Sequence, residues 1–153
     1  MSKCYQLIGV PGSGKSTWVK NQIWALGLTV VSTDTFVEAY AATQGRTYSE
    51  VFGDYMPTAI DLMIQQVAFA RQHGHTVIWD QTSVTEASRR KKFRMLPDYK
   101  HIAVVFKTPD PDELSRRLAG RPGKIIPEEI VQDMINRFEM PTLAEGFQEI
   151  WHV

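Results

Sequence analysis

Gly9 to Trp18, GVPGSGKSTW, is the stretch on which the reading of this 153-residue chain turns. Gly9, Gly14, Lys15 and Ser16 fit G-x-x-x-x-G-K-[ST], the pattern of a phosphate-binding P-loop. Glycines let the backbone turn where a Cβ would clash, so that several N–H groups point at one anion. In such a loop, Gly12, Ser13, Gly14, Lys15, Ser16 and Thr17 form the cradle. Lys15 reaches the β- and γ-phosphates of ATP and the Ser16 hydroxyl ligates Mg²⁺. The helix that follows aims its positive N-terminal end at the same phosphates. The motif is informative only between a strand and a helix, and both are legible. Tyr5 to Ile8 is a short, mostly apolar run, and Trp18, Val19, Ile23 and Leu26 recur at helical spacing before Gly27.

Working outward, strand-like runs alternate with amphipathic helices. The predicted strands are Tyr5–Gly9, Thr29–Ser32, Thr76–Asp80, His101–Lys107 and Gln148–Val153. The predicted helices are Lys15–Leu26, Thr35–Thr43, Pro57–His73, Thr85–Leu96, Asp110–Ala119 and Pro127–Glu139. This alternation predicts an α/β protein: a P-loop NTPase or kinase fold with a five-stranded parallel sheet, helices on both faces, and a single domain over residues 1–153. In an open sheet of this kind ligands bind beyond the carboxyl ends of the strands, so chemistry is sought just after each one.

After the second strand comes Ser32-Thr33-Asp34. A carboxylate there can take the proton that an alcohol loses as it attacks a γ-phosphorus, or it can cap the next helix. After the third strand, TVIWD ends in Asp80, the form of a Walker B acid that orients Mg²⁺; a turn or cap acid is the alternative. After the fourth, Arg116, Arg117, Arg121 and Lys124 gather around Gly120, Pro122 and Gly123. This basic, Gly/Pro-broken segment between two helices reads as a hinged lid bringing guanidinium groups onto the transferring phosphoryl, or as a solvated basic loop.

Other features are weaker. RRKKFR, Arg89 to Arg94, spreads around a helix and reads as a solvated face, with a nucleic-acid patch as the alternative. His73 and His75 flank a turn glycine and have no nearby Cys partner, which argues against a structural metal site. Trp24, Trp79 and Trp151 read as core or sheet-packing residues, and the aromatics from Tyr40 to Tyr55 as packing an insertion against the sheet, with stacking on bases as the alternative. Formal net charge is zero, so any polyanion must be held by local patches. The single cysteine, Cys4, excludes an internal disulfide and is placed in or beside the first strand. No apolar signal core or membrane-length run is present, so a cytoplasmic location with no membrane partner is expected.

GVPGSGKSTW, STD, VIWDQT and RRLAGRPGKIIP, taken in order, resemble the kinase module of bacteriophage polynucleotide 5′-hydroxyl kinases over essentially the whole chain. Trp18 and the R-x-x-x-R-x-x-K-x-x-P lid are the more telling parts. The resemblance implies that Asp34 is the general base, that Lys15 and Ser16 hold triphosphate and metal, and that Arg121 clamps the donor phosphates with Arg117 close by. It further implies transfer of the γ-phosphate of ATP to the 5′-hydroxyl of DNA or RNA, with a nucleoside, a sugar or a hydroxymethylated base in DNA as the alternative acceptor. The family carries an Arg three residues after the base to grip the acceptor's phosphate, where this chain has Val37. Arg46 is the candidate substitute. No D-x-D-x-T-like nucleophile motif occurs, so 3′-phosphatase activity is not expected. No N-K-x-D occurs either, which argues against a GTPase-type switch.

Overall fold

In the computed structural model, residues 1–22 and 27–153 are described. Among them run β1 (Lys3–Ile8), α1 (Lys15–Gln22), β2 (Leu28–Val31), α2 (Thr33–Gln44), α3 (Tyr48–Gln72), β3 (Thr76–Trp79), α4 (Glu86–Met95), β4 (Lys100–Val105), α5 (Pro111–Ala119), α6 (Glu128–Asn136) and β5 (Glu149–His152). The strands form one sheet in the order β2-β3-β1-β4-β5, and every pairing is parallel. The predicted fold class is therefore the observed one. The sequence-based end of α1, with Ile23 and Leu26, and the reading of Trp24 lie outside the described residues.

Parallel strands need crossovers, and the crossovers cover both faces. On one face Cys4, Val31, Trp79 and Leu96 pack with Met63 and Val67 of α3. On the other Leu7, Ile78, Ile102, Val104 and Phe106 pack with Val19 of α1. Cys4 thus lies in β1, fully buried, and burial pushes its thiol far above the ordinary range. Trp79 is buried and Trp151, on the edge strand β5, stacks a tilted ring against Tyr5.

The register aligns the carboxyl ends. Ile8 pairs with Val105, and Val31 with Trp79. The ladder runs on past the strands, with Asp80 N–H donating to Val31 O and Phe106 N–H to Ile8 O, both at 2.8 Å. Gly9, Ser32 and Asp80 therefore leave the sheet along one edge.

Two expectations are corrected. The third helix starts at Tyr48, nine residues before Pro57. Thr47 and Glu50 form a reciprocal capping box that nucleates it, a signature the presence of Pro57 obscured. Pro57 costs one helical hydrogen bond, and the carbonyl its ring approaches belongs to Gly53, which carries no side chain. The added turns pack on α2 through Val37, Ala41, Val51 and Ala59, with Tyr40 stacked on Tyr55 at 4.0 Å. The aromatics of this hairpin pack between α2 and α3 rather than against the sheet as expected, with Phe52 left exposed.

The second correction concerns RRKKFR. Arg89 and Lys92 are buried, not solvated. Arg89 makes a bidentate pair with Glu145, at 2.7 and 3.1 Å, and donates to the Ser83 carbonyl at 2.9 Å. It thereby ties the turn after β3 to the segment before β5. Lys92 lies over the Trp79 ring and donates to the Ser88 carbonyl. Of the run's five basic residues, Arg90, Lys91 and Arg94 are left exposed.

Candidate active site

The P-loop is built as its glycines require. A Cβ on Gly9 would lie 2.5 Å from Ser13 Oγ and 2.9 Å from Phe106 Cβ, so only glycine fits between the loop and β4's end. Gly12 and Gly14 hold φ of +83° and +103°, the left-handed region that disfavours side chains. Ser13 Oγ is buried without a hydrogen-bond partner among the described residues, and Lys15 Nζ is folded back onto the Gly9 and Val10 carbonyls at 2.8 and 2.9 Å. The loop thus holds an orphaned, buried hydroxyl against Gly9 and a cation gathered onto its own carbonyls, polar groups that a bound phosphate chain could engage. Ser16 and Thr17 are exposed at the start of α1.

Lys15 and Asp80 influence each other. Burial pushes the Lys15 ammonium down to about 8, and Asp80 is the strongest charge opposing that fall. Burial likewise raises the Asp80 carboxyl, with Lys15 holding it down. Asp34 and Lys124 act on both groups, Arg121 on Lys15 and Glu38 on Asp80. Lys15, Asp34 and Asp80 follow three separate strands and Arg121 follows α5, yet Asp34, Asp80 and Arg121 all lie within electrostatic reach of the Lys15 ammonium, in one charged cluster.

Asp34 is not the helix cap. The cap position of α2 is Ser32, whose backbone is extended, and Asp34 sits inside the first turn. Its oxygens are engaged elsewhere. Tyr48 Oη donates to Oδ1 at 2.7 Å, and Lys124 Nζ donates to Oδ2 at 3.0 Å. Lys124 also bonds Glu38, at 3.2 Å, and lies 4.4 Å from the centre of the Tyr48 ring. Burial and the bond to Asp34 push the Tyr48 phenol well above its usual range.

The lid segment between α5 and α6 lies against this cluster. Arg117 donates to the Gly12 carbonyl at 3.0 Å and is held by Glu113 at 2.8 Å. Arg116 pairs with the same Glu113 on the outside. Gly123, with φ of +69°, seats against Thr47. Ser49 N–H donates to the Gly123 carbonyl at 3.1 Å and Ser49 Oγ accepts from Ile125 N–H at 2.8 Å. The segment is thus docked on the N-terminus of α3 rather than free in solvent.

Two residues of the cluster were missed by sequence reasoning, Tyr48 and Glu38. Glu38 stands at i+4 from Asp34, a spacing that places both on one helical face. Tyr48 had no signal of its own beyond the capping box beside it. Conversely, Val37 is fully buried against α3, so it faces the core and not the cluster. Arg46 donates to the Glu50 carbonyl at 3.2 Å and pairs with its carboxylate at 3.8 Å. His73 and His75 bond the Phe69 carbonyl and Thr29, as ordinary surface histidines do. A 420 Å³ cleft between Thr82–Ser88 and α6 is lined by none of Lys15, Asp34, Asp80 or Arg121. No helix among the described residues is long and apolar enough to cross a membrane.

The donor set that the sequence offers for a metal is one hydroxyl, Ser16, exposed at the start of α1, and one carboxylate, Asp80. Among the described residues no group of three or more His, Cys, Asp or Glu is assembled. That is a poor set for zinc or calcium. It suits Mg²⁺, which is held by one or two carboxylates together with substrate phosphates and water.

A family model described as an AAA domain matches residues 6–141. Among solved structures, a protein of Chloroflexus aurantiacus j-10-fl described as a candidate kinase is 20% identical, with a TM-score of 0.72, over 99% of this chain and 87% of that one. A gluconokinase from Sinorhizobium meliloti 1021 is 18% identical, with a TM-score of 0.55, over 99% and 81%. A fungal RNA kinase is 14% identical, with a TM-score of 0.59, over 99% and 74%. At these identities the likeness is one of fold.

Proposed function

We propose that this chain, which belongs to the AAA domain family, is an ATP-dependent kinase that moves the γ-phosphate to a hydroxyl, with the 5′-hydroxyl of a polynucleotide as the acceptor. The observation that carries the reading is the position of Asp34. A carboxylate that caps no helix stands at the end of β2, in the same cluster as Lys15, Asp80 and Arg121. A protein that only bound or slowly hydrolysed nucleotide would have no use for a second acid there.

In this reading the chain's residues divide the work. The backbone amides of the P-loop, Lys15 and the Ser13 hydroxyl hold the phosphate chain. Ser16 and Asp80 would hold Mg²⁺, which supplies neutralisation of the β- and γ-phosphate charge when bound. Asp34 takes the proton of the attacking hydroxyl. Arg121 meets the charge that develops on the transferring phosphoryl, and Arg117 braces the loop through the Gly12 carbonyl. Fold relatives that include an RNA kinase and a gluconokinase are compatible with this division of labour without choosing the acceptor.

A second acceptor class is supported by Val37. The resemblance to polynucleotide kinases would place a phosphate-gripping Arg there, and the residue is instead part of the α2–α3 core. A nucleoside, a sugar or a hydroxymethylated base in DNA needs no such grip. The deciding experiment incubates the protein with γ-labelled ATP and a panel of 5′-hydroxyl oligonucleotides, nucleosides, sugars and modified-base DNA. Label in the oligonucleotides, lost in Lys15→Ala and Ser16→Ala, supports the first reading. Label confined to the small acceptors supports the second, and label in none overturns the kinase assignment.

A further inference from the structure

We propose that Tyr48 is a positioning residue for Asp34, fixing the carboxylate through one oxygen while Lys124 fixes the other. This rests on the reading of Asp34 as the base that accepts the hydroxyl proton.

The geometry is specific. Tyr48 Oη donates to Oδ1 at 2.7 Å and Lys124 Nζ to Oδ2 at 3.0 Å. Distances of this order mark hydrogen bonds to an ionised acceptor, the stronger class. Asp34 is about half exposed, at 47%, and a carboxylate so placed would otherwise turn freely in water. A base must instead present a lone pair along one direction to the incoming O–H. Each carboxylate oxygen has two lone pairs. With one on each committed, one on each is left for the substrate.

The surroundings argue that the hydroxyl, and not the ring, is the functional part. The Tyr48 ring packs at the margin of the apolar group of Val37, Val51 and Ala59, where a phenylalanine would pack as well. Among the described residues, the only hydrogen bond of its hydroxyl is the one to Asp34. Tyr48 is also held from three directions. It is the first residue of α3, set by the Thr47–Glu50 capping box. It lies beneath the Lys124 ammonium, and its ring is tilted against Phe52 at 5.5 Å. A donor so fixed can fix its acceptor.

The step this serves balances as an ordinary phosphoryl transfer. The acceptor oxygen forms its bond to the γ-phosphorus, its proton passes to a free lone pair of Asp34, and the bridging bond breaks with its electron pair leaving on ADP. The charged and titratable groups around Asp34 are Tyr48, Lys124, Glu38, Lys15, Asp80 and Arg121.

The test is a double-mutant cycle of Tyr48→Phe and Asp34→Asn on MgATP turnover, with water and with the acceptor labelled in the panel above. Tyr48→Phe is expected to lower kcat by about ten- to a hundredfold, the worth of one charge-assisted hydrogen bond, with KM for ATP and Tm unchanged. In the Asp34→Asn background the same change is expected to lower kcat by less than about twofold, because the residue through which Tyr48 acts is gone. Wild-type kcat in Tyr48→Phe, or an equal loss in both backgrounds, overturns the proposal. If Asp34→Asn itself turns over normally, or no turnover is found, the base reading is what has failed. The contact is then judged by ¹³C-carboxyl NMR of Asp34. A carboxyl chemical shift at pH 7 that moves in Tyr48→Phe supports Tyr48 as the group fixing the carboxylate, and an unmoved shift overturns it.

Discussion

Lys124 and Asp34 lie ninety positions apart in the chain, yet Lys124 Nζ stands 3.0 Å from Asp34 Oδ2. One belongs to the segment between α5 and α6 and the other to the first turn of α2, so the contact ties the lid to the end of β2. With 16% and 47% of the two side chains exposed, the pair is expected to contribute no more than about 1 kcal/mol to global stability. Lys124→Met is therefore expected to lower Tm by less than about 4 °C. Its larger effect is local. Amide hydrogen exchange at Gly123 to Ile125 is expected to accelerate severalfold, with the exchange of β1 unchanged. Equal acceleration in both places would show that the contact supports the whole fold and not the lid.

Asp34→Asn is expected to reduce turnover by on the order of 10²–10⁴ while leaving ATP affinity within about twofold. Asparagine keeps the shape and can still accept from Tyr48, but cannot take a proton at neutral pH. Because Ser32 occupies the cap position, loss of a helix cap cannot account for the effect. Isothermal titration with a non-hydrolysable ATP analogue and single-turnover kinetics check the two halves separately. A fully active variant removes Asp34 from the reaction.

Much of this site was legible in the sequence, and the reason is the sheet. Once the P-loop identifies β1, a parallel sheet forces the next strand ends to the same edge, and Asp34 and Asp80 follow from position alone. Tyr48 was not legible, because it reaches Asp34 only through the packing of α3 on α2. That packing depends on a helix start that Pro57 hides. The burial of Arg89 and Lys92 was not legible either. Five basic residues in six look solvated until a partner such as Glu145, 56 positions away, is known to stand opposite.

Lys92 offers a pH test. Burial pushes its ammonium down from 10.5 to about 8, with Arg89 adding to the fall. Between about 8 and 10.5 the unfolded chain binds a proton that the native chain does not, so this residue makes stability rise with pH across that window. Below it, the native state carries a charge it would shed. Lys92→Met keeps the stem and removes the charge, and is expected to raise Tm at pH 7 by about 2–8 °C, equivalent to roughly 1–2 kcal/mol. The advantage is expected to shrink by pH 10. Thermal melts of both proteins at pH 7, 8.5 and 10 measure it. A constant difference would mean that the hydrogen bond to Ser88 and the Trp79 contact, not the charge, set the outcome.

Arg121→Lys is expected to lose most of its activity although the charge is kept. A planar fork donating two hydrogen bonds to phosphate oxygens is replaced by a point charge of different reach. In the structure Arg121 acts on Lys15 and on Tyr48 through its field, so an Arg that served only as local potential would be replaced by Lys at little cost. Turnover of Arg121→Lys close to that of Arg121→Ala supports the clamp, and turnover close to wild type refutes it.

Val37 decides how the acceptor is read. The resemblance to polynucleotide kinases suggests that an Arg at this position would grip the acceptor's phosphate, so Val37→Arg looks at first like a restoration. The structure argues otherwise, since Val37 is fully buried with Ala41, Val51 and Ala59. An unpaired guanidinium there has no partner, and the variant is expected to lose about 3–5 kcal/mol rather than gain a substrate contact. Arg46, the candidate substitute reader of the acceptor, donates to the Glu50 carbonyl and pairs with its exposed carboxylate at 3.8 Å. A charged hydrogen bond to phosphate is worth about ten- to a hundredfold in affinity, and its absence predicts weak dependence on a phosphate beside the accepting hydroxyl. The measurement compares kcat/KM for a nucleoside and its 3′-phosphate, in wild type and in Arg46→Ala. A ratio within about threefold in both is expected. A strong preference for the 3′-phosphate that Arg46→Ala leaves intact would assign the acceptor to a basic group of the lid, with Lys124 the nearest to Asp34.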